Sequence, residues 1–94
     1  MKRKNKNTEE IKKIVVFFSL ICLIGIIFYT YIENFSIIDS IYFVFITITT
    51  IGYGDLYPKS DIGKLFTVIY SFIGVITFFY MINKFIEMEK KGKR

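Results

Sequence analysis

Histidine and alanine are absent from the 94 residues, and cysteine and proline occur once each. With no histidine and a single cysteine, Cys22, a chain can close no disulfide within itself and can build no Cys/His zinc site. Nucleophilic sites of the Ser–His and Cys–His kinds are excluded on the same ground, so the sequence does not read as an enzyme and implies no cofactor. The missing alanine bears on a different alternative. A basic start followed by an apolar run could be a cleaved leader, but the run is long and no small-residue cleavage site follows it. Cys22 falls inside that run and reads as a lipid-facing or packing residue.

Charge is missing too, over two long stretches. Residues 14–31 and 65–82 are 18 residues each and carry none. The charge that exists is segregated. Of 13 basic residues, six precede residue 14 (Lys2, Arg3, Lys4, Lys6, Lys12, Lys13) and five follow residue 83 (Lys84, Lys90, Lys91, Lys93, Arg94). Composition is 53% hydrophobic and mean hydropathy is +0.48. A soluble domain this small could not hide so much apolar surface. The net charge of +5 could suggest nucleic acid. The basic residues flank apolar spans instead of forming a face with interleaved aromatics, so they read as charge at a membrane surface and no nucleic-acid partner is expected.

Each uncharged run reaches about 27 Å as a helix, enough to cross a hydrocarbon core of about 30 Å with some tilt. Asn7 or Thr8 could cap the first helix, and Glu9 and Glu10 would suit its first turn. Tyr29 and Tyr31 fit an interfacial aromatic belt. Ser60 and Asp61 offer a start to the second long helix, and Lys84 suits its end. Two spans put both termini on one side of a multi-pass protein. The basic ends make that side cytoplasmic by the positive-inside rule, in the cell (plasma) membrane. The expected organisation is a cytoplasmic basic segment over 1–13, a membrane domain over 14–84 and a cytoplasmic basic tail over 85–94. Within the membrane domain lie a first long helix over 14–32, a short helix over 36–49, a glycine-bearing segment over 50–55 and a second long helix over 62–84.

The segment between the spans is the informative one. Residues 37–51 are apolar but too few to cross a membrane, so they read as a re-entrant segment that leaves and returns to the outer face. Ser36-Ile37-Ile38-Asp39 has capping-box spacing. After the short helix comes Thr50-Ile51-Gly52-Tyr53-Gly54-Asp55, in which glycine alternates with larger residues. Glycine takes positive φ without a Cβ penalty, so a strand of this kind can turn successive carbonyls one way. Four such strands around an axis would stack rings of carbonyl oxygens that replace a cation's hydration shell, and the Thr50 hydroxyl could add to the innermost ring.

Thr49-Thr50-Ile51-Gly52-Tyr53-Gly54-Asp55 resembles the potassium-channel signature, with Ile51 where valine is commoner. The continuations Asp55-Leu56-Tyr57-Pro58 and Asp61-Ile62-Gly63-Lys64 resemble the same family, and the likeness runs from about Ile14 to Lys84. The chain is therefore similar to the two-transmembrane, pore-only potassium channels of prokaryotes. That resemblance implies an all-α membrane protein: outer helix, re-entrant pore helix with extended filter, and inner helix, in a homotetramer around a central pore. It implies K+ ligation by the carbonyls of Thr50, Ile51, Gly52 and Tyr53 and by the Thr50 hydroxyl. Thr49, Gly54, Asp55 and Phe43 would support the filter. The chain departs from some members at Ile46, where a carboxyl can pair with the filter aspartate, and at Phe43, where many carry a hydrogen-bonding tryptophan. Both departures imply a looser hold on Asp55 and Tyr53.

Gly74 falls where the family has an inner-helix hinge, although a glycine there could also serve close packing. Val75, Phe79 and Asn83 share one helical stripe and would line the inner pore, with Ser71, Phe78 and Ile82 as the rival face. Neither span carries spaced arginines, so no voltage sensor of the usual kind is expected. After Lys84 ten residues remain, which reads as a pore alone or a pore cut from something longer. Residues 32–64 carry Glu33, Asp39, Asp55 and Asp61 against Lys59 and Lys64, a net −2 that would gather cations at the outer mouth. The sequence thus reads as a potassium-selective channel whose partners are its own copies, membrane lipid and permeant monovalent cations. The alternatives are a non-selective cation channel of the same fold and a non-conducting small membrane peptide or regulatory subunit.

Overall fold

The computed structural model describes residues 6–92, with side chains over 8–90; the outermost residues of both basic segments lie outside the described residues. Three helices follow one another: α1 (Lys6–Ile32), α2 (Ile37–Ile48) and α3 (Asp61–Gly92). No strand occurs among the described residues. α1 and α3 lie antiparallel. Glu10 meets Lys84 at one end of the pair, and Glu33 meets Ser60 at the other. Both are long and apolar enough to cross a membrane, over Thr8–Ile32 and Asp61–Lys90, and most of their apolar side chains face outward. The chain is a membrane protein.

α1 starts at Lys6, earlier than expected, and neither Asn7 nor Thr8 precedes it as a cap. Glu9 sits in the first turn, where a carboxylate favours the amino end, and Glu10 is tied to Lys84. α3 runs on past residue 84 to Gly92, so Lys84 lies within the helix and not at its end. The extension carries a Lys84–Glu87 pair at 3.7 Å and meets no helix-breaking residue before Gly92.

α2 descends between the two long helices only part-way. Ser36 caps it, its hydroxyl accepting from the Asp39 N–H at 3.0 Å. The hydroxyls of Thr30 and Ser40 pair at 2.8 Å near its start. Further down, Val44 reaches Gly25, and at its last turn the fully buried Ile48 rests on Gly74. At twelve residues and about 18 Å, α2 stops near mid-depth, and the chain climbs back to Ser60 beside Glu33.

The core is aromatic. Tyr29, expected at the interface, is fully buried, whereas Tyr31 is exposed. Its ring meets Phe28, Phe35, Phe43, Phe66 and Tyr70, mostly edge to face, and its hydroxyl pairs with that of Thr67 at 2.5 Å. Burial inside a bilayer obliges a phenol to find a partner, and Thr67 on the facing helix supplies one. Tyr70 follows the same rule, donating to the Ile21 carbonyl at 2.7 Å. It passes through the space over Gly25, where any Cβ would collide with its hydroxyl. Gly25 therefore sets how closely α1 and α3 approach.

Glu33 closes the end opposite Glu10 and Lys84. Its carboxylate accepts from the Lys59 N–H at 2.8 Å, the Ser60 N–H at 3.3 Å and the Ser60 hydroxyl at 2.5 Å. Ser60 in turn caps α3, accepting from the Gly63 N–H at 3.0 Å. Partial burial pushes the Glu33 carboxyl up. The hydrogen bonds from Ser60 and Lys59, with the Lys59 charge, outweigh that and hold it below its ordinary value of 4.5. A depressed carboxyl stabilises the fold above its unfolded-state value, and the stabilisation fades as pH falls through the folded value. Acidifying the parent below about pH 5 should therefore lower its melting temperature. Glu33→Gln should start lower at neutral pH and show a flatter acid limb. Parallel melting curves of the two proteins from pH 7 to pH 3 would count against the staple.

Candidate functional site

The loop after α2 begins with a tight turn. Thr49 caps the helix at φ −84° and ψ 2°, and its hydroxyl donates to the Phe45 carbonyl at 2.6 Å. The Thr50 N–H donates to the Thr47 carbonyl at 3.1 Å and the Gly52 N–H to the Ile46 carbonyl at 2.9 Å. These bonds satisfy carbonyls that the end of α2 would otherwise leave open and fasten the first half of the loop to it.

Alternate residues then take positive φ: Thr50 at 67°, Gly52 at 55° and Gly54 at 83°. Reversing the hand at every second residue turns successive peptide planes toward one side. Glycine adopts that hand freely. Threonine does not, since a β-branched residue with φ above zero is strained by about 1–2 kcal/mol. Nothing in the sequence pattern marked Thr50 for that conformation. The bonds to the α2 carbonyls at Thr47 and Ile46, on either side of it, hold it there.

The loop returns along α2 as far as Tyr42. The Tyr42 hydroxyl donates to Asp55 Oδ2 at 2.8 Å. The Tyr42 and Tyr53 rings stack, 6.4 Å apart at 8°. Tyr42 thus joins the two residues that the departures at Ile46 and Phe43 would have left loose. Phe43, expected among the supporting residues, is buried with its ring against Tyr29 and Phe35. Tyr42 was missed in the sequence. A phenol on an apolar helix needs a hydrogen-bond partner, so that need was the available signal, although Asp39 and Glu33 lie nearer in the chain than Asp55. Tyr42→Phe should keep the ring stack and lose only the bond. Amide hydrogens of residues 52–55 are then expected to exchange several-fold faster than in the parent, with the melting temperature little changed. Identical exchange would mean that the hydroxyl holds nothing.

Thr49, Thr50, Ile51, Gly52, Tyr53, Gly54 and Asp55 therefore form one short run backed by α2. On a single chain, Ile51 and Tyr53 stay more than half exposed. The lower residues lie apart from them. Gly74 faces Ile48 so closely that a Cβ would come within 2.9 Å of that side chain, which is the signature of packing. Val75 is half-buried, while Phe79 and Asn83 are exposed. Of the rival face, Phe78 packs against Phe18 of α1, with ring centres 6.1 Å apart.

A half-length helix that returns through a strand of alternating hand, between two membrane helices, defines a pore-loop protein. A family model described as Ion channel matches residues 15–91, and the chain belongs to that family. It is 36% identical over 89 residues to "Probable potassium channel protein 2" of Methanocaldococcus jannaschii, covering 90% of this chain and 26% of the relative. It is 51% identical over 49 residues to a hyperpolarization-activated voltage-gated potassium channel of the same organism, covering 49% of this chain and 22% of that protein. Two-pore potassium channel 1 of Arabidopsis thaliana is 28% identical over 81 residues, covering 79% and 22%. The chain spans about a quarter of the length of these relatives.

Proposed function

We propose that four copies of this chain form a potassium-selective pore in the plasma membrane, with both ends cytoplasmic. The observation that carries the reading is the alternation of positive φ at Thr50, Gly52 and Gly54 directly after a half-length helix. One chain offers one wall of carbonyls and leaves the loop open on a side. Closing rings of equal ligands calls for rotational symmetry, and four walls suit a dehydrated K+. In this reading the carbonyls of Thr50, Ile51, Gly52 and Tyr53 and the Thr50 hydroxyl take the place of water around the ion. Thr49, Gly54 and Asp55, with Tyr42, keep the loop in shape. α2 aims its carboxyl end, the negative end of its dipole, toward mid-membrane and favours a cation there. The names of the relatives supply the choice of potassium.

The gate is assigned to the cytoplasmic half of α3, with Val75, Phe79 and Asn83 beside the ion path and Gly74 as the point about which that half moves. The contact with Ile48 gives Gly74 a packing role as well.

Reconstitution in a planar bilayer with potassium on one side and sodium on the other tests the function. Current should reverse near the potassium equilibrium potential, and native mass measurement should give four chains. Reversal near zero would replace the reading by a non-selective cation channel. A chain that stays single in lipid and passes nothing would sink it.

A further inference from the structure

We propose that the Thr77 hydroxyl is the positioning group for the bend of α3 at Gly74, standing in for a backbone donor when the helix opens there. Thr77 is the only polar side chain from Phe72 to Phe79. It is also buried, at 6% exposure. Ser40, the other buried polar side chain among the described residues, reaches across to Thr30 of α1. Thr77 turns back instead and donates to the Ile73 carbonyl at 2.7 Å. That carbonyl belongs to the peptide that joins Ile73 to Gly74. In an unbroken helix it already accepts from the Thr77 N–H, so two donors of one residue converge on it. Thr67 and Ser71 turn back in the same way, but on the stretch of α3 that the Tyr29–Thr67 and Tyr70–Ile21 bonds tie to α1.

The spacing gives the bend its direction. Tyr70, Thr77 and Lys84 stand seven residues apart and so share one face of α3. Tyr70 bonds the Ile21 carbonyl and Lys84 the Glu10 carboxylate, so that face looks at α1. A helix bends by lengthening the backbone bonds on its outer curve. Opening the α1-facing bond from the Thr77 N–H would leave the Ile73 carbonyl without a backbone partner in a dry setting, which is costly. The hydroxyl is already in place to keep that carbonyl satisfied, and the freed N–H can turn to the Gly74 carbonyl as in a tighter turn. Gly74 weakens the helix at the same point. The lower part of α3 then swings away from α1 and draws Lys84 off Glu10. Lys84 keeps partners on its own helix, with Glu87 at 3.7 Å and the Tyr80 ring at 5.7 Å. The inference rests on the reading that α3 carries the gate, and it names the side chain that lets the helix bend.

Spin labels at Lys12→Cys of α1 and Lys90→Cys of α3, both exposed positions, would report the α1–α3 separation in reconstituted protein by double electron–electron resonance, in a Cys22→Ala background. Dilution with unlabelled chains keeps the measured distances within one chain. The parent should show a short and a long separation. Thr77→Val keeps the shape of the side chain and removes the hydroxyl. It should lower the ratio of long to short about fivefold, the worth of about one hydrogen bond within a protein. Thr77→Ser should restore the ratio. Open probability should move in Thr77→Val in the same direction as in Gly74→Ala, with unitary current unchanged. Melting curves check that both Thr77 variants are folded. A parent-like ratio in Thr77→Val would overturn the proposal, as would a Thr77→Ser ratio matching Thr77→Val or a parent with one separation only. A ratio that falls as expected while open probability stays at the parent's value would remove the gate from α3 and leave the role of Thr77 in the bend standing.

Discussion

Replacing Gly52 with alanine should abolish the proposed potassium current while leaving the protein folded and in the membrane. Gly52 has φ 55° and lies between Thr50 and Gly54, which share its hand. An L-residue there costs about 1–2 kcal/mol. In the proposed tetramer the penalty recurs in every subunit and reaches about 4–8 kcal/mol, comparable to the whole stability of a small domain. The loop escapes that penalty by rotating Gly52 to negative φ. Doing so breaks the 2.9 Å bond from its N–H to the Ile46 carbonyl and swings an adjoining carbonyl off the proposed axis. The three helices make no contact that an alanine at 52 would meet, because nothing lies within 4 Å of the position its Cβ would occupy. Potassium flux from loaded vesicles, together with size-exclusion chromatography of the same sample, separates lost conduction from lost folding. Parent-like flux in Gly52→Ala would show that the carbonyl orientation does not depend on this residue.

The largest effect on stability should come from Tyr29→Ala. Five rings surround Tyr29, drawn from α1, α2, α3 and the turn at Phe35. Removing a fully buried aromatic side chain costs about 3–5 kcal/mol, much of it the hole left among neighbours that cannot close in. Here those neighbours belong to all three helices, so the loss would free α2 as well as the α1–α3 pair. Tyr29→Phe should cost far less, because Thr67 still donates to the Gly63 carbonyl at 2.7 Å. Thermal melting in detergent should rank parent, Tyr29→Phe and Tyr29→Ala in that order, with a wide gap before the last. A Tyr29→Ala protein that melts near the parent would mean that the aromatic cluster carries little of the fold.

What could be read from the sequence were the features written in local chemistry. Uncharged runs give the two long helices, Ser36 and Asp39 mark the start of α2, and the glycines at 52 and 54 mark a backbone of unusual hand. The expected bounds, residue 14 for the start of the first long helix and residue 84 for the end of the second, fall inside α1 and α3, although Glu9 and Glu10 already suited a first turn. Glu10 and Lys84 reach across to each other and carry both helices beyond the apolar runs. Tyr29 and Tyr42 were harder still. A tyrosine near the end of a span can face a headgroup, a core or a neighbouring acid, and only the packing of three helices decides. Tyr29 found Thr67 and a shell of rings, whereas Tyr42 found Asp55 and Tyr53. Gly25 gave no signal in its own neighbourhood, since the side chain that needs its vacancy, Tyr70, is 45 residues away in the chain.

The seat of Ile48 on Gly74 has a mechanical consequence. In the gate proposed above, this buried side chain bearing on a bare stretch of helix would serve as the fulcrum, resisting sliding but permitting tilt. The part of α3 below it, from Gly74 to Gly92, is a lever about 27 Å long at a rise of 1.5 Å per residue. A tilt of about 10° at that fulcrum, hardly felt by Ile48, carries the far end of the lever through about 5 Å, roughly one helical pitch. In that proposed motion a small rotation at Gly74 and a large displacement at the basic end would be one tilt of the segment below Gly74.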